Sequence, residues 1–563
     1  MVTSAGDSQL QDQAFSERRL GLMILENKNG AALAAGIPHL QAALEIWRKL
    51  AWATRIAELQ IDLGNLHRKA GNHAESAKEF SQAMTVFAGA NDERAIDAAV
   101  LAGNAFLDLN QQVEALTVLS RAAELADERN DHLRIAAVQI DLGRAQVAAG
   151  NAPAALVAAE RAMKIFGSFK RKGEVARCHE LYANAHTVAG NSVEAVHHFE
   201  LAAQIQTELA RPVEAGEVLG RLADWHRDHS DLPAAEAVLD RALAMYTQTG
   251  KNGLVAHTLR RLGTIHAKRG EPDKAAARYA RSLELCRSLN DHEGTSRTLY
   301  LLGAADIRAG RVDEGLVKLN ESIASAEQAN QPGLVEPALA AIARVHRSRG
   351  EHDAALAVMQ RWVEVLKKQG DRADALQVLG SIAEIYQDKG AWEEAEAHLQ
   401  RLVRVTATPV DRDLHARALR QLGTAEARRG AWGEARAHLT EALETMSEAS
   451  SETRAALSAQ VGHVCLQQAD AMMRRGEHRK VGSGGHPDCL LVSVDHLQNA
   501  ERLLRESGDE QALAKVLVDL GNAKALLGRT EEAKNAFERA ADACEKQGDV
   551  RATTIIRRAT QKL

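Results

Sequence analysis

A small residue returns along this chain at a step of 40: Gly150, Gly190, Ser230, Gly270, Gly310, Gly350, Gly390 and Gly430, led in by Gly71 and Asn110 at nearly the same interval. A period in this range means stacked supersecondary units, each burying its apolar face only against its neighbours. Around each small residue the apolar positions follow helical spacing: Val255, Leu259, Leu262 and His266 precede Gly270, and Ala275, Tyr279, Leu283 and Cys286 follow it. Each unit therefore reads as two antiparallel helices joined at the small residue. Only nine of 563 residues are proline, far below the ~5% typical of globular chains, so little interrupts the helices.

Two further columns of small side chains run in register. Seven residues before the turn stand Gly64, Gly103, Gly143, Ala183, Ala223, Gly263, Gly303, Ala343, Ala383 and Gly423; five after it stand Ser76, Ala115, Ala155, Ala195, Ala235, Ala275, Gly315, Ala355, Ala395 and Ala435. Helix axes approach to ~8 Å only where facing side chains are short, so these columns mark the contact line inside each hairpin. Twelve residues after the turn, Ala83, Ala122, Ala162, Ala202, Ala242, Ser282, Ser322 and Ala442 mark the contact with the next unit; Trp362 and Leu402 depart from the rule, which predicts looser packing there. The pairs Asn91-Asp92, Asn130-Asp131, Asn290-Asp291, Gly370-Asp371, Gly508-Asp509 and Gly548-Asp549 supply a left-handed stop and an aspartate cap for the next helix.

This small–turn–small pattern, with Phe80, Leu119, Phe199, Leu239, Tyr279 or Leu439 four residues later, resembles the tetratricopeptide repeat. The usual unit has 34 residues; the 40-residue form is similar to the repeats of the Pins/LGN scaffold family and of kinesin light chain. The resemblance implies an all-α, right-handed α-solenoid of about twelve helix-turn-helix repeats. We read residues 1–51 as a degenerate N-terminal capping repeat, 52–447 as ten tandem repeats, and 448–509 as an irregular repeat with a Gly-rich insertion near 481–492. Residues 510–563 read as a final repeat and a C-terminal capping helix. The insertion, with Gly482-Ser483-Gly484-Gly485-His486-Pro487, is expected to form a mobile loop, either a tolerated hairpin-tip insertion or a partner-contacting segment.

Several function classes are disfavoured. With 70 basic and 76 acidic residues and a net charge of −6, no general charge excess favours nucleic acid. The longest uncharged stretch, Asn29 to Leu44, is too short for the ~20 residues of a membrane span. No secretory leader is expected, and five scattered cysteines read as reduced thiols, so the cytoplasm is the expected location. No zinc-protease, phosphate-loop or nucleophile-elbow motif is present. The chain is therefore expected to be no enzyme, with no catalytic residue, cofactor or metal site. Among 22 histidines, His67, His186, His226, His266 and His346 share one repeat position and are expected to be packing residues. His463, Cys465, His478, His486, Cys489 and His496 lack the paired spacing of a zinc site.

By resemblance to the family, the first helices line a concave groove. Groove positions of the sixth to eighth units give His257, Arg260, Arg261, Lys268, Arg297, Tyr300, Arg308, Arg344 and Arg347, with no carboxylate among them; the first three units give Glu58, Asp62, Asp97, Asp108 and Asp141 against Arg68, Lys69 and Arg144. The resemblance further implies that Asn65, Asn104, Asn184 and Asn522 bond a bound peptide's backbone. The leading reading is a scaffold or adaptor whose basic central groove holds an acidic extended or helical segment of another protein. The alternative is that these arginines form a solvated face. Two other roles stay open: a component of a large cytoskeletal, motor or ciliary assembly, and a sensor whose pitch changes on peptide binding.

Overall fold

The computed structural model describes residues 5–26, 30–446, 450–476, 485–561 and 563. The chain divides into two compact units, residues 1–289 and 290–563. The first contains α1 (Ala5–Glu26), α2 (Gly30–Lys49), α3 (Ala53–Lys69), α4 (His73–Gly89), α5 (Arg94–Asp108), α6 (Gln112–Glu128), α7 (His132–Ala148), α8 (Ala152–Ser168), α9 (Lys172–Val188), α10 (Ser192–Glu208), α11 (Pro212–Asp228), α12 (Leu232–Gln248), α13 (Asn252–Lys268) and α14 (Pro272–Ser288). The second contains α15 (His292–Arg308), α16 (Val312–Gln328), α17 (Val335–Ser348), α18 (His352–Gln369), α19 (Arg372–Asp388), α20 (Trp392–Thr406), α21 (Arg412–Arg429), α22 (Trp432–Thr445), α23 (Ser451–Arg474), α24 (His486–Ser507), α25 (Glu510–Leu526), α26 (Thr530–Lys546) and α27 (Val550–Thr560). Within each unit every helix packs on the next, forming stacked hairpins in which the odd-numbered helix comes first.

The turn chemistry follows from the residues that occupy it. Gly270 has φ +74° and Asn110 φ +58°, the left-handed conformation that glycine and asparagine tolerate best. Around Gly270 its own N–H reaches the Ala267 carbonyl at 3.3 Å and the Glu271 N–H reaches the His266 carbonyl at 2.9 Å, closing the helix end. Downstream, Asp131, Asp291, Asp371, Asp509 and Asp549 accept backbone N–H bonds and cap their helices, as the Asn-Asp and Gly-Asp pairs predict. Asp92 differs. Its carboxylate is taken by the Arg94 side chain as well as the Arg94 N–H, and α5 starts after Glu93.

The small column earns its place by contact distance. A β-carbon on Gly64 would lie 2.5 Å from the Phe80 ring, on Gly263 2.5 Å from Tyr279, on Gly423 2.7 Å from Leu439, and on Gly521 2.8 Å from Phe537. In each case the large residue sits sixteen positions later on the second helix and drops onto bare backbone. At Gly143 the sixteenth residue is Ala159, and the space is filled by Leu181 of the next hairpin, 2.5 Å from the same virtual atom. Ser282 and Ser322 remain fully buried because their hydroxyls donate to the Ala256 and Ser296 carbonyls. Leu402 is buried despite its size: Gly380 on the facing helix clears its space. Trp362 wedges between two core clusters and stays half-buried.

The irregular hairpin obeys the same contact rule with longer arms. A β-carbon on Gly462 would strike Leu497, and Ser493 Oγ bonds the Gly462 carbonyl over 31 residues, where Ser76 does the same to Gly64 over 12. The additional residues lengthen α23 to 24 and α24 to 22 residues, against 17 in most helices. Gly482, Ser483 and Gly484 lie outside the described residues, whereas His486 and Pro487 open α24, so the expected loop gives way to helix from residue 486 onward.

These contacts predict opposite effects for two glycine substitutions. Gly263→Ala should destabilise the first unit by about 1–3 kcal/mol through overpacking. Gly433→Ala, on an exposed helix face with no atom near its virtual β-carbon, should stabilise the second by ~0.5–1 kcal/mol. Urea titrations followed by circular dichroism read both.

Candidate partner-binding faces of the first helices

In the first unit α13 carries His257, Arg260, Arg261 and Lys268. His257 and Lys268 are exposed, and Arg260 is half-exposed. Arg261 turns back onto the preceding first helix, donating to Asp224 Oδ1 at 2.7 Å and to the Gly220 carbonyl at 2.8 Å. The acidic positions of the early repeats are likewise met from within the chain. Glu58 receives Arg18, Arg55 and Arg94, and Asp62 receives Arg18. Asp97 pairs with Arg134, and Asp141 with Arg144. Burial pushes the Glu58 carboxyl up, but the Arg55 and Arg94 hydrogen bonds outweigh it and hold it below the usual range. At Asp62 burial prevails over Arg18 and the pKa rises.

Asn65, Asn104 and Asn184 stand half-exposed on α3, α5 and α9, and Asn522 is exposed on α25. Arg68 reaches Asn65 Oδ1 at 3.4 Å, and Arg144 reaches Asn104 Oδ1 at 3.5 Å.

In the second unit α15 carries Arg297, Tyr300 and Arg308, and α17 carries Arg344 and Arg347. Arg297 pairs with Glu293 one turn earlier at 2.9 Å, and Arg347 bridges to Glu384 at 3.0 Å and Asp388 at 2.6 Å on α19. Arg308 caps the Ala304 carbonyl, and Tyr300 packs its ring against the Leu319 core. Arg344 is exposed and makes no ion pair among the described residues. The all-basic face read from the sequence is therefore partly neutralised: Asp224, Glu293, Glu384 and Asp388 supply carboxylates from flanking positions that a count of groove residues alone leaves out.

The first helices of the second unit also frame a recess of about 460 Å³ between α21, α23 and α25. Its floor is apolar, with Trp432, Leu439, Val464 and Val516, and its rim carries Arg428, His463, Lys515 and Asp519. His463 Nδ1 and Asp519 Oδ2 lie 2.8 Å apart, a bond that raises the His463 pKa. In the sequence His463 stands among histidines and cysteines that lack the paired spacing of a zinc site, and no local pattern marks the other recess residues as binding positions.

The histidine column serves packing. His67 and His266 are buried and His186, His226 and His346 half-buried. His266 and His346 hydrogen-bond Glu271 and Glu351, five residues on and beyond the turn, at 2.9 and 2.5 Å. The same slot holds Asp306, paired with Arg311 and Lys318, and Glu426, paired with His438. One cluster has no precedent in the column: His198 on α10 stacks on Tyr182 at 4.9 Å and on His186 at 5.5 Å, and its Nδ1 lies 2.9 Å from His179 Nδ1. Among the described residues no group of three or more His, Cys, Asp or Glu side chains is arranged to hold a metal ion; His478 lies outside them. The five cysteines are buried free thiols, and burial pushes Cys178 and Cys465 up to about 12, which leaves them poor nucleophiles.

Hairpins stacked on a glycine/alanine contact line, with side chains of successive first helices gathered on one face, define a helical-repeat binding scaffold. The chain carries tetratricopeptide repeats: family models of the tetratricopeptide repeat match residues 254–328, 334–408, 374–448 and 514–547. Solved structures similar to it include kinesin light chain-like TPR repeats from Podosopora anserina, at 18% identity, covering 37% of this chain and 100% of that one with a TM-score of 0.31. BtubC from P. vanneervenii matches at 18% identity over 46% of this chain and 92% of its own, TM-score 0.30. Aspartyl phosphate phosphatase F from Bacillus subtilis matches at 13% identity over 73% of this chain and 97% of its own, TM-score 0.36. No curated protein matches the sequence. Among the described residues no helix is long and apolar enough to cross a membrane.

The stacked histidines set a pH dependence. Burial, reinforced by His179, His186 and His197, pushes the His198 pKa down to about 4, and burial lowers that of His179 as well. An unfolded histidine takes its proton near ~6.5. Between those values the unfolded chain binds more protons, so the stability these rings contribute is lost as the pH falls from 6.5 towards 4. Hydrogen exchange on peptides from α9 and α10 should show protection falling over that window, and His198→Phe, which keeps a stacked ring, should lessen the fall.

Proposed function

We propose that the protein is a non-enzymatic scaffold whose first-helix faces hold extended or helical segments of other proteins, and that the basic faces select acidic segments. The observation that carries this reading is the exposed row on α15 and α17, where Arg297, Arg308, Arg344 and Arg347 stand on adjacent first helices. Arg297 and Arg347 have carboxylate partners of their own, but those pairs are solvent-exposed. Exposed pairs contribute only ~0–1 kcal/mol, so a partner's carboxylates exchange with them at little cost. Arg344 offers its full fork of donors. In the first unit Arg260 and Arg261 extend the same chemistry on α13, with Asp224 as the internal competitor.

Among the described residues no assignable catalytic group stands against this reading: the buried thiols are unactivated, and the paired carboxylates lie along ion-paired helix faces. The test is fluorescence anisotropy of the full chain with a labelled 20-residue Asp/Glu-rich peptide at low and high salt. Arg344→Glu with Arg347→Glu should weaken binding about tenfold, ~1.4 kcal/mol, and flatten its salt dependence. Arg260→Glu with Arg261→Glu should do the same in the first unit. Affinity unchanged by both pairs would exclude the acidic-segment reading.

A further inference from the structure

We propose that the recess between α21, α23 and α25 anchors one large apolar side chain of a partner segment, flanked on that segment by acidic residues. The proposal rests on the scaffold reading above and gives it a specific anchor in the second unit. A volume of about 460 Å³ lies within the range of small ligand sites, which are apolar with a few convergent polar groups. The floor supplies the apolar part: Leu439, Val464 and Val516 are at most 5% exposed, and the Trp432 indole completes it beside Gly430.

The polar groups state what surrounds the anchor. Arg428 and Lys515 stand exposed on opposite walls, α21 and α25, and neither makes an ion pair among the described residues. Their neighbourhood is otherwise well paired: Arg429, one residue on, is bound by Glu393 and Glu396. Asp519, the one carboxylate on the rim, is occupied by His463, which Gln467 also braces at 2.8 Å. The mouth is therefore cationic, and an apolar side chain entering it brings acidic neighbours with least repulsion. Gln460 supplies a further contact: its Oε1 is buried at the recess and accepts no hydrogen bond. An unpaired buried acceptor is costly, and a backbone N–H of the seated segment satisfies it.

The test uses the full chain and two fluorescein-labelled peptides, Ser-Asp-Glu-Leu-Asp-Glu-Ser and the same sequence with its Leu replaced by Ser. The Leu peptide should bind at least tenfold more tightly and shift the Trp432 emission, a shift lost in Trp432→Phe. Ala459→Phe fills the recess from a partly exposed wall position, and its fold is checked by thermal melting; it should abolish the Leu preference and leave the residual acidic binding. Arg428→Glu with Lys515→Glu should weaken both peptides, while Arg344→Glu with Arg347→Glu should leave the Leu preference intact. Equal binding of the two peptides, or a Leu preference that survives Ala459→Phe, overturns the anchor; if binding then still depends on Arg344 and Arg347, the scaffold reading stands without it. If neither peptide binds, both the anchor and the acidic selectivity fall.

Discussion

The structure depends on one repeated contact, a large side chain of the second helix laid on bare first-helix backbone. Phe80 on Gly64, Tyr279 on Gly263 and Leu439 on Gly423 are instances of it. Close approach brings dispersion contacts along the whole helix pair and fixes the rotation of each helix about its axis. That rotation decides which first-helix residues face outward. With 3% aromatic residues in the chain, the core cannot rely on ring area, so proximity between aliphatic and alanine surfaces carries the packing.

A second regularity ties one hairpin to the next. Arg94 to Glu58, Arg134 to Glu93, Arg221 to Glu180 and Arg261 to Asp224 each reach back by close to one repeat length along the first helices. Arg241 to Glu200 and Arg361 to Glu327 do so along the second. Each pair is weak where it is exposed. Their shared spacing matters more, since a hairpin slipped by a helical turn would set these charges against the wrong neighbours. The same pairs moderate the charge of the binding faces, so affinity for an acidic partner reflects exchange of ion pairs and not attraction to bare arginines.

The architecture was legible because steric rules act over short sequence distances. The turn residues, the small columns and five of six aspartate caps follow from spacing alone, while Asp92 departs because a neighbouring arginine competes for its carboxylate. Gly462 escaped the column because its partner Leu497 stands 35 residues on instead of sixteen. The candidate site was legible in part. The outward positions of Arg297, Arg344 and Arg347 follow from helical phase, but the carboxylate partners of Arg297 and Arg347 sit on another turn or another helix, and rotamers choose among them. The His179–His198 contact and the recess join residues of different helices whose approach is set by packing and by no local pattern.

Leu181 has a consequence for how the first unit comes apart. At Gly64, Gly103 and Gly263 the filler comes from the same hairpin, so the interior stays intact if that pair separates from its neighbour. Beneath Gly143 the filler belongs to the following hairpin, and separating the two would open a void in one and strand an oily side chain in the other. The α7/α8 and α9/α10 hairpins are thereby tied into one cooperative folding block, a splint within the stack.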